Sequence, residues 1–299
     1  MKISIIIPTL NEEKYLPNLL KDIKSQNFKD YELIVADDNS TDKTPEIAKK
    51  YKAEVVKGGL PGVGRNAGAK IANGDYLFFL DADIRLPKNF LREVYNEMQR
   101  RKLGSAICDF RPISRLLIDK VGYKAANLFM KLNQFSNPHA SGSSIFVKKE
   151  IFDEIGGFNE SLRLAEDHDF VKRASKYAPF RVISSVSTKI SIRRLEKEGR
   201  ISLAKKLLRV EFHLAFRGQL KKDVIGYEFG NYQDKKKLEK RLVQVEKQLE
   251  RIDRNYKKLD QYLKRDQLTQ TYKNNLAKLK NQFYSVRKSF LNFIKNKEL

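Results

Sequence analysis

Cysteine is almost absent from this 299-residue chain: Cys108 stands alone. A single thiol excludes an intramolecular disulfide framework and fits a reducing, cytoplasmic compartment. Tryptophan is missing and histidine occurs only three times. No cluster of zinc ligands is present, and neither an aromatic-stacking sheet motif nor a helix-turn-helix signal accompanies the positive charge. Long apolar runs are missing too, since no stretch approaches the roughly 18 uninterrupted apolar residues of a membrane-spanning helix. The run Ile3–Ile7 is short, ends at Pro8 and lacks a cleavage region, so it reads as a strand and not as a signal peptide. Acidic residues are in deficit, with 37 against 60 lysines and arginines, a net charge of +23. That charge favours polyanions, whether nucleic acid, anionic lipid or phosphorylated substrates, without choosing among them.

What is present alternates. An apolar strand over Ile3–Pro8 precedes a helix from about Asn11 to Gln26, with Asn11 as its cap and Glu12 and Glu13 in its first turn. Tyr31–Ala36 is a strand, followed by a helix capped by Ser40 or Thr41 and reaching Lys50. Glu54–Val56 is a short strand, Val63–Ala72 a helix, Tyr76–Leu80 a strand, and a helix begins near Pro87 and extends to Arg101. This order predicts an α/β fold, a Rossmann-like, mostly parallel sheet with flanking helices. Further strands are expected at Ser105–Phe110 and Ser143–Val147, with helices over Ile113–Phe135, Lys148–Ile155 and Glu166–Lys176. Ile201–Leu220 has the pattern of a basic amphipathic helix, suited either to packing on the domain or to an anionic membrane interface. Beyond Gly230, apolar residues from Leu238 to Leu263 and from Tyr272 to Phe293 step by fours and threes. This predicts a C-terminal α-helical coiled-coil or hairpin extension over residues 226–299, after a domain over 1–225. Residues 230–299 hold 19 lysines and arginines against 8 acids.

The sharpest chemical signal is Asp81-Ala82-Asp83. Two carboxylates, one residue apart, follow a buried apolar strand, at the strand end where open α/β sheets place ligands. Hard oxygen ligands of this kind suit Mg²⁺ or Mn²⁺ shared with substrate phosphates.

Six segments together resemble the family 2 glycosyltransferases of the GT-A fold, the nucleotide-diphosphosugar transferases. They are Ile5–Glu13, Val35–Thr44, Gly64–Gly68, Asp81–Asp83, Gly156–Phe158 and Ala165–Asp167. The resemblance spans about residues 1–199 and implies an inverting, metal-dependent transfer of a sugar from a nucleoside diphosphate. UDP-sugar is the expected donor and GDP-sugar the competitor. By the same resemblance Pro8 and Thr9 meet the nucleobase edge, Asp38 accepts from the base imide, and Glu12 contacts ribose or base. The alternative for Glu12 is a partner of the helix dipole. Arg65 faces diphosphate charge, with Gly62 and Gly64 allowing close backbone approach. Asp81 contacts ribose or metal, Asp83 is the direct metal ligand, and Asp167 is the general base. Arg193 and Arg194, in a Ser-x-Arg-Arg-x-x-x-x-Gly segment resembling that of non-processive relatives, close over the diphosphate. The Gln-x-x-Arg-Trp motif of processive members is not found, which favours transfer of one sugar.

A glycan or lipid-linked acceptor, an anionic membrane surface and self-association through the C-terminal helices are the expected partners. Two other classes stand beside this reading: an inactive coiled-coil scaffold and a basic nucleic-acid-binding protein. The scaffold is disfavoured because Asp38, Asp81, Asp83 and Asp167 are all in place.

Overall fold

The structure, a computed structural model, describes residues 2–200, 202–206, 209 and 210. Eight strands form one sheet: β1 (Ile3–Thr9), β2 (Tyr31–Asp37), β3 (Glu54–Lys57), β4 (Tyr76–Leu80), β5 (Ile84–Arg85), β6 (Ser105–Pro112), β7 (Ser144–Lys148) and β8 (Phe180–Ile190). Their order is β3-β2-β1-β4-β7-β6-β8-β5. The first four are mutually parallel, β7 is antiparallel to both β4 and β6, β8 is parallel to β6, and β5 is antiparallel to β8. The sheet is therefore mixed, and its parallel character belongs chiefly to the first βαβ series. The chain returns through β7 into the middle of the sheet, a step that alternation of elements alone does not reveal.

Eight helices flank it among the described residues: α1 (Leu16–Lys24), α2 (Thr44–Lys50), α3 (Pro61–Ile71), α4 (Phe90–Arg100), α5 (Leu117–Asn133), α6 (Lys149–Glu154), α7 (Glu166–Ala174) and α8 (Arg193–Glu198). Alternation along β1 divides the core. Ile3, Ile5 and Ile7 pack with Leu16, Leu20, Phe90 and Met98, whereas Ile6 packs with Ala69, Phe79, Phe158 and Phe170. Opposite faces of a pleated strand explain the division. Burying each of these phenylalanines contributes roughly 2–3 kcal/mol.

Two helix starts differ from the sequence expectation. Asn11 has φ 55° and does not cap α1; its side-chain oxygen accepts from the Thr41 backbone N–H at 2.9 Å, and α1 begins at Leu16. Glu12 and Glu13 consequently lie outside its first turn. Ser40 does not cap α2 because its hydroxyl and N–H are both spent on Asp37, and α2 begins later, with Pro45 in its first turn. Strands β5 and β8 were not foreseen. The tail beyond residue 225 and most of the basic stretch 201–220 lie outside the described residues.

Candidate active site

The loops after β1 and β2 are clasped together. Asp37 accepts from Thr9 Oγ1 at 2.9 Å and from the Ser40 N–H and hydroxyl at 2.9 and 2.6 Å. The Asn11 N–H donates to Ser40 Oγ at 2.8 Å, and the Glu12 N–H to Thr44 Oγ1 at 2.8 Å. These bonds fix the strand ends and absorb Asp37 wholly into the scaffold. Asp38 is different. Its N–H is held by the Thr9 carbonyl at 2.9 Å, whereas its half-buried carboxylate has no hydrogen-bond partner among the described residues. Beside it, Pro8 and Thr9 end β1 in register with Ala36 and Asp37.

Asp81 and Asp83 follow β4, each bound to an arginine. Arg65, on α3, is 2% exposed. It donates to Glu166 Oε1 at 2.8 Å, to Asp81 Oδ1 at 3.1 Å and to the Gly142 carbonyl at 3.0 Å, and lies 5.3 Å over the Phe158 ring. Arg193, at the start of α8, donates to both oxygens of Glu12 at 2.7 and 2.6 Å, pairs with Asp83 at 2.9 Å and lies 4.5 Å over the Tyr15 ring. The four carboxylates Glu12, Asp81, Asp83 and Glu166 thus share these two guanidiniums, and the charge of Asp167 also acts on Arg65. Burial, with Asp83 nearby, pushes the Asp81 carboxyl up to about 7 although Arg65 opposes this. Burial likewise raises Asp83 and Glu12 against the pull of Arg193. Glu166 is raised by burial and then by the adjacent Asp167 charge, with Arg65 opposing.

The second wall is the segment entering α7. Gly156 and Gly157, both at φ 70°, close the end of α6 in a left-handed conformation that favours glycine. The turn drops Phe158 against Phe170, ring centroids 4.1 Å apart, and Asn66 holds the Phe158 backbone through both side-chain atoms at 2.8 and 2.9 Å. Ala165, at φ 58°, then turns the chain so that Glu166 and Asp167 open α7. Asp167 Oδ1 accepts from the His168 N–H at 2.8 Å. A Cβ at Gly142 would lie 3.0 Å from the Arg65 guanidinium and 3.2 Å from Asp167 Oδ2, so this position brings backbone, arginine and carboxylate together.

The structure gathers Glu12, Asp83 and Arg193 at one end of the site, and Arg65, Asp81 and Asp167 at the other. Three sequence expectations change. Arg65 is not presented to a diphosphate; it is buried and committed to Asp81, Glu166 and Gly142. Gly62 and Gly64 lie within α3, where Gly64 packs on Pro8 and Gly62 on Glu166 and Phe158, so neither is a phosphate cradle. Glu12 is no helix-dipole partner, and both its oxygens are held by Arg193. Arg194 pairs with Glu198 at 3.0 Å. Glu166, Asn66 and Gly142 complete the arrangement. Glu166 was visible only as the neighbour of Asp167, and a glycine carbonyl gives no sequence signal.

Asp81 and Asp83 are the residues that could hold a divalent ion. The crowding of carboxylates, Glu12 and Glu166 buried and Asp81 and Asp83 partly so, and the raised Asp81 describe negative charge that a cation would compensate. Among the described residues no group of three His, Cys, Asp or Glu is placed to hold a metal. The remaining ligands would come from phosphates and water, as is common for Mg²⁺ and Mn²⁺.

Comparison with solved structures supports the fold. S. aureus TarS 1-349 in complex with UDP-GlcNAc aligns with TM-score 0.53 and 22% identity, over 72% of this chain and 73% of that one. The mannosyltransferase PcManGT from Pyrobaculum calidifontis, in complex with GDP-Man and Mn²⁺, aligns with TM-score 0.52 and 19% identity, over 70% and 64%. In sequence, the poly(ribitol-phosphate) beta-N-acetylglucosaminyltransferase TarS of Staphylococcus aureus is 29% identical over 220 residues, 67% of this chain and 36% of the relative. The poly(ribitol-phosphate) beta-glucosyltransferase of Bacillus spizizenii is 29% identical over 186 residues, 58% and 29%. The chain therefore spans about a third of the length of these curated relatives. The family model described as glycosyl transferase family 2 matches residues 4–156, just over half of the chain and the stretch that carries β1–β7, Asp38, Arg65, Asp81 and Asp83. On that match the chain belongs to glycosyl transferase family 2.

Proposed function

We propose that the chain is an inverting, metal-dependent glycosyltransferase that moves one sugar from a UDP-sugar to a hydroxyl of a glycan or lipid-linked acceptor. The observation that carries this is the buried Arg65, whose guanidinium joins the Asp81 carboxylate to Glu166, the residue preceding Asp167. A donor-side carboxylate and a base-side carboxylate are thereby held on one rigid support. Such pre-organisation is what a displacement at an anomeric carbon requires. The named donors of relatives and neighbours, UDP-GlcNAc and GDP-Man, agree with a nucleoside diphosphate sugar.

In this reading Pro8, Thr9 and the unpartnered Asp38 receive the nucleobase. A Mg²⁺ or Mn²⁺ ion held by Asp83 and Asp81 would neutralise charge on the leaving diphosphate. Asp167 accepts the acceptor hydroxyl proton as that oxygen bonds to the anomeric carbon. The bond from carbon to the diphosphate oxygen breaks on the opposite face, its electron pair leaves with the nucleotide, and the configuration inverts. Arg193, freed at Nε from Asp83 while its terminal nitrogens stay on Glu12, meets the diphosphate through that nitrogen, with Arg194 next to it. Arg65 and Glu166 are positioning residues.

Asp167→Asn is the test. Transfer is expected to fall by about 10³-fold or more, in line with removal of a catalytic acid–base group, while UDP affinity stays within a few-fold of wild type. Undiminished turnover in the variant would refute the base assignment.

A further inference from the structure

Helix α5 carries an apolar face that no described residue covers. Leu117, Ile118, Val121, Leu128 and Leu132, with Phe135 just past the helix end, are each more than half exposed, Leu117 to 75% and Phe135 to 71%. The opposite face is already satisfied: Tyr123, Ala126 and Met130 pack into the core beside Phe110 and Ile107. A helix apolar on both faces is found either buried or in contact with lipid, and a contiguous exposed patch of this kind marks an interaction site. Length excludes a span, because no described helix is long and apolar enough to cross a membrane.

Charge identifies the occupant. Lys120 and Lys124 are exposed on α5, with Arg111 exposed at the end of β6 and Arg115 in the loop that leads into the helix. Asp119 is the only acid between residues 110 and 135, and it is buried and neutralised by Arg200 at 2.6 and 2.8 Å. Between residues 110 and 135 the chain therefore shows solvent apolar side chains flanked by cations and no exposed acid. A second copy would oppose its own positive charge, and residues 230–299, with 19 basic against 8 acidic residues, match it no better. An anionic bilayer surface complements both components, attracting the cations and accepting the leucines at the acyl boundary.

We propose that the outward face of α5 is a membrane-docking surface that seats the chain in the interface of an anionic bilayer. Its position gives docking a purpose, a point that rests on the glycosyltransferase reading. Phe129 of α5 meets His139 edge-on at 5.2 Å, and His139 meets His168, the neighbour of Asp167, at 5.0 Å. The surface thus lies one short chain of rings from the base-bearing wall, the side from which a lipid-linked hydroxyl would arrive.

The chain has no tryptophan, so Leu132→Trp introduces a unique fluorophore on this face. With the full chain, the emission is expected to shift to shorter wavelength on adding phosphatidylglycerol-containing vesicles and to be quenched by lipids brominated in their acyl chains. Pure phosphatidylcholine vesicles should leave it unchanged. Leu128→Glu in the Leu132→Trp background should weaken vesicle binding roughly tenfold or more. Emission indifferent to anionic vesicles would overturn the proposal. So would emission already blue and shielded without lipid, in which case light scattering separates a second copy from the chain's own tail as the occupant. Vesicle binding is read without sugar transfer, so a chain that docks but does not transfer would count against the enzymatic reading alone.

Discussion

Arg193 grips Glu12 with both guanidinium branches, at 2.7 and 2.6 Å, across 181 residues of sequence. The same guanidinium holds Asp83 at 2.9 Å. One side chain from the far end of the domain thus occupies Asp83, the proposed metal ligand, and its partner Glu12 sits in the loop after β1. In the proposed reading, donor binding exchanges the Asp83 bond for bonds to phosphate and ion, while Glu12 keeps Arg193 near the site.

Removing that partner should be costly. Glu12→Ala leaves a largely buried guanidinium with Asp83 as its remaining carboxylate. Breaking one side of such a pair costs about 3 kcal/mol or more. Chemical denaturation of the variant is expected to show a lower midpoint with an unchanged slope. A midpoint equal to wild type would mean that the pair contributes nothing to the fold.

Arg65 should tolerate no conservative change. Lysine is a point charge without the fork that serves Glu166, Asp81 and the Gly142 carbonyl at once. Arg65→Met strands the buried Glu166, and loss of about 3–5 kcal/mol corresponds to a Tm lowered by roughly 6–20 °C at 2–4 °C per kcal/mol for a domain of this size. Calorimetry checks this; a shift within 2 °C of wild type, on the order of half a kcal/mol, would contradict it.

The pH dependence follows from Asp81. Its carboxyl is pushed up to about 7 in the folded chain, against about 4 when unfolded. Between these values the folded state binds more protons, so the metal-free protein loses stability as pH rises through this window. Asp81→Asn lacks this titration and keeps an acceptor for Arg65. The Tm of the variant relative to wild type is therefore expected to climb between pH 5 and pH 8. A difference that stays flat with pH would show that Asp81 is ionised throughout.

Local patterns carried the first half of the molecule. β4 is a run of five apolar residues and the carboxylates follow it, so both strand and site can be read directly. The Gly64–Gly68 and Gly156–Phe158 motifs were also visible, but their meaning was not. Asn66 holds the backbone of Phe158 across 92 residues, and Arg65 reaches Glu166 across 101. Such pairings are tertiary and leave no spacing signal. β8 mixes buried and exposed positions irregularly, with a register shift opposite Cys108 and Asp109, which hides the alternation that would announce a strand. Asn11 illustrates the reverse error: a good capping residue stands before a helix, yet its left-handed backbone commits it to the neighbouring loop.

The central claim is that Asp83, with Asp81, joins a divalent ion to a nucleoside diphosphate. Calorimetric titration of UDP into the chain, with and without Mn²⁺, tests it most directly, with GDP as the competitor and Asp83→Asn as the control. Expected is UDP binding that strengthens at least tenfold with Mn²⁺ in wild type and loses that gain in Asp83→Asn, a change of about 1.4 kcal/mol or more. UDP binding of equal strength with and without the ion, or a metal effect that survives in Asp83→Asn, would contradict it.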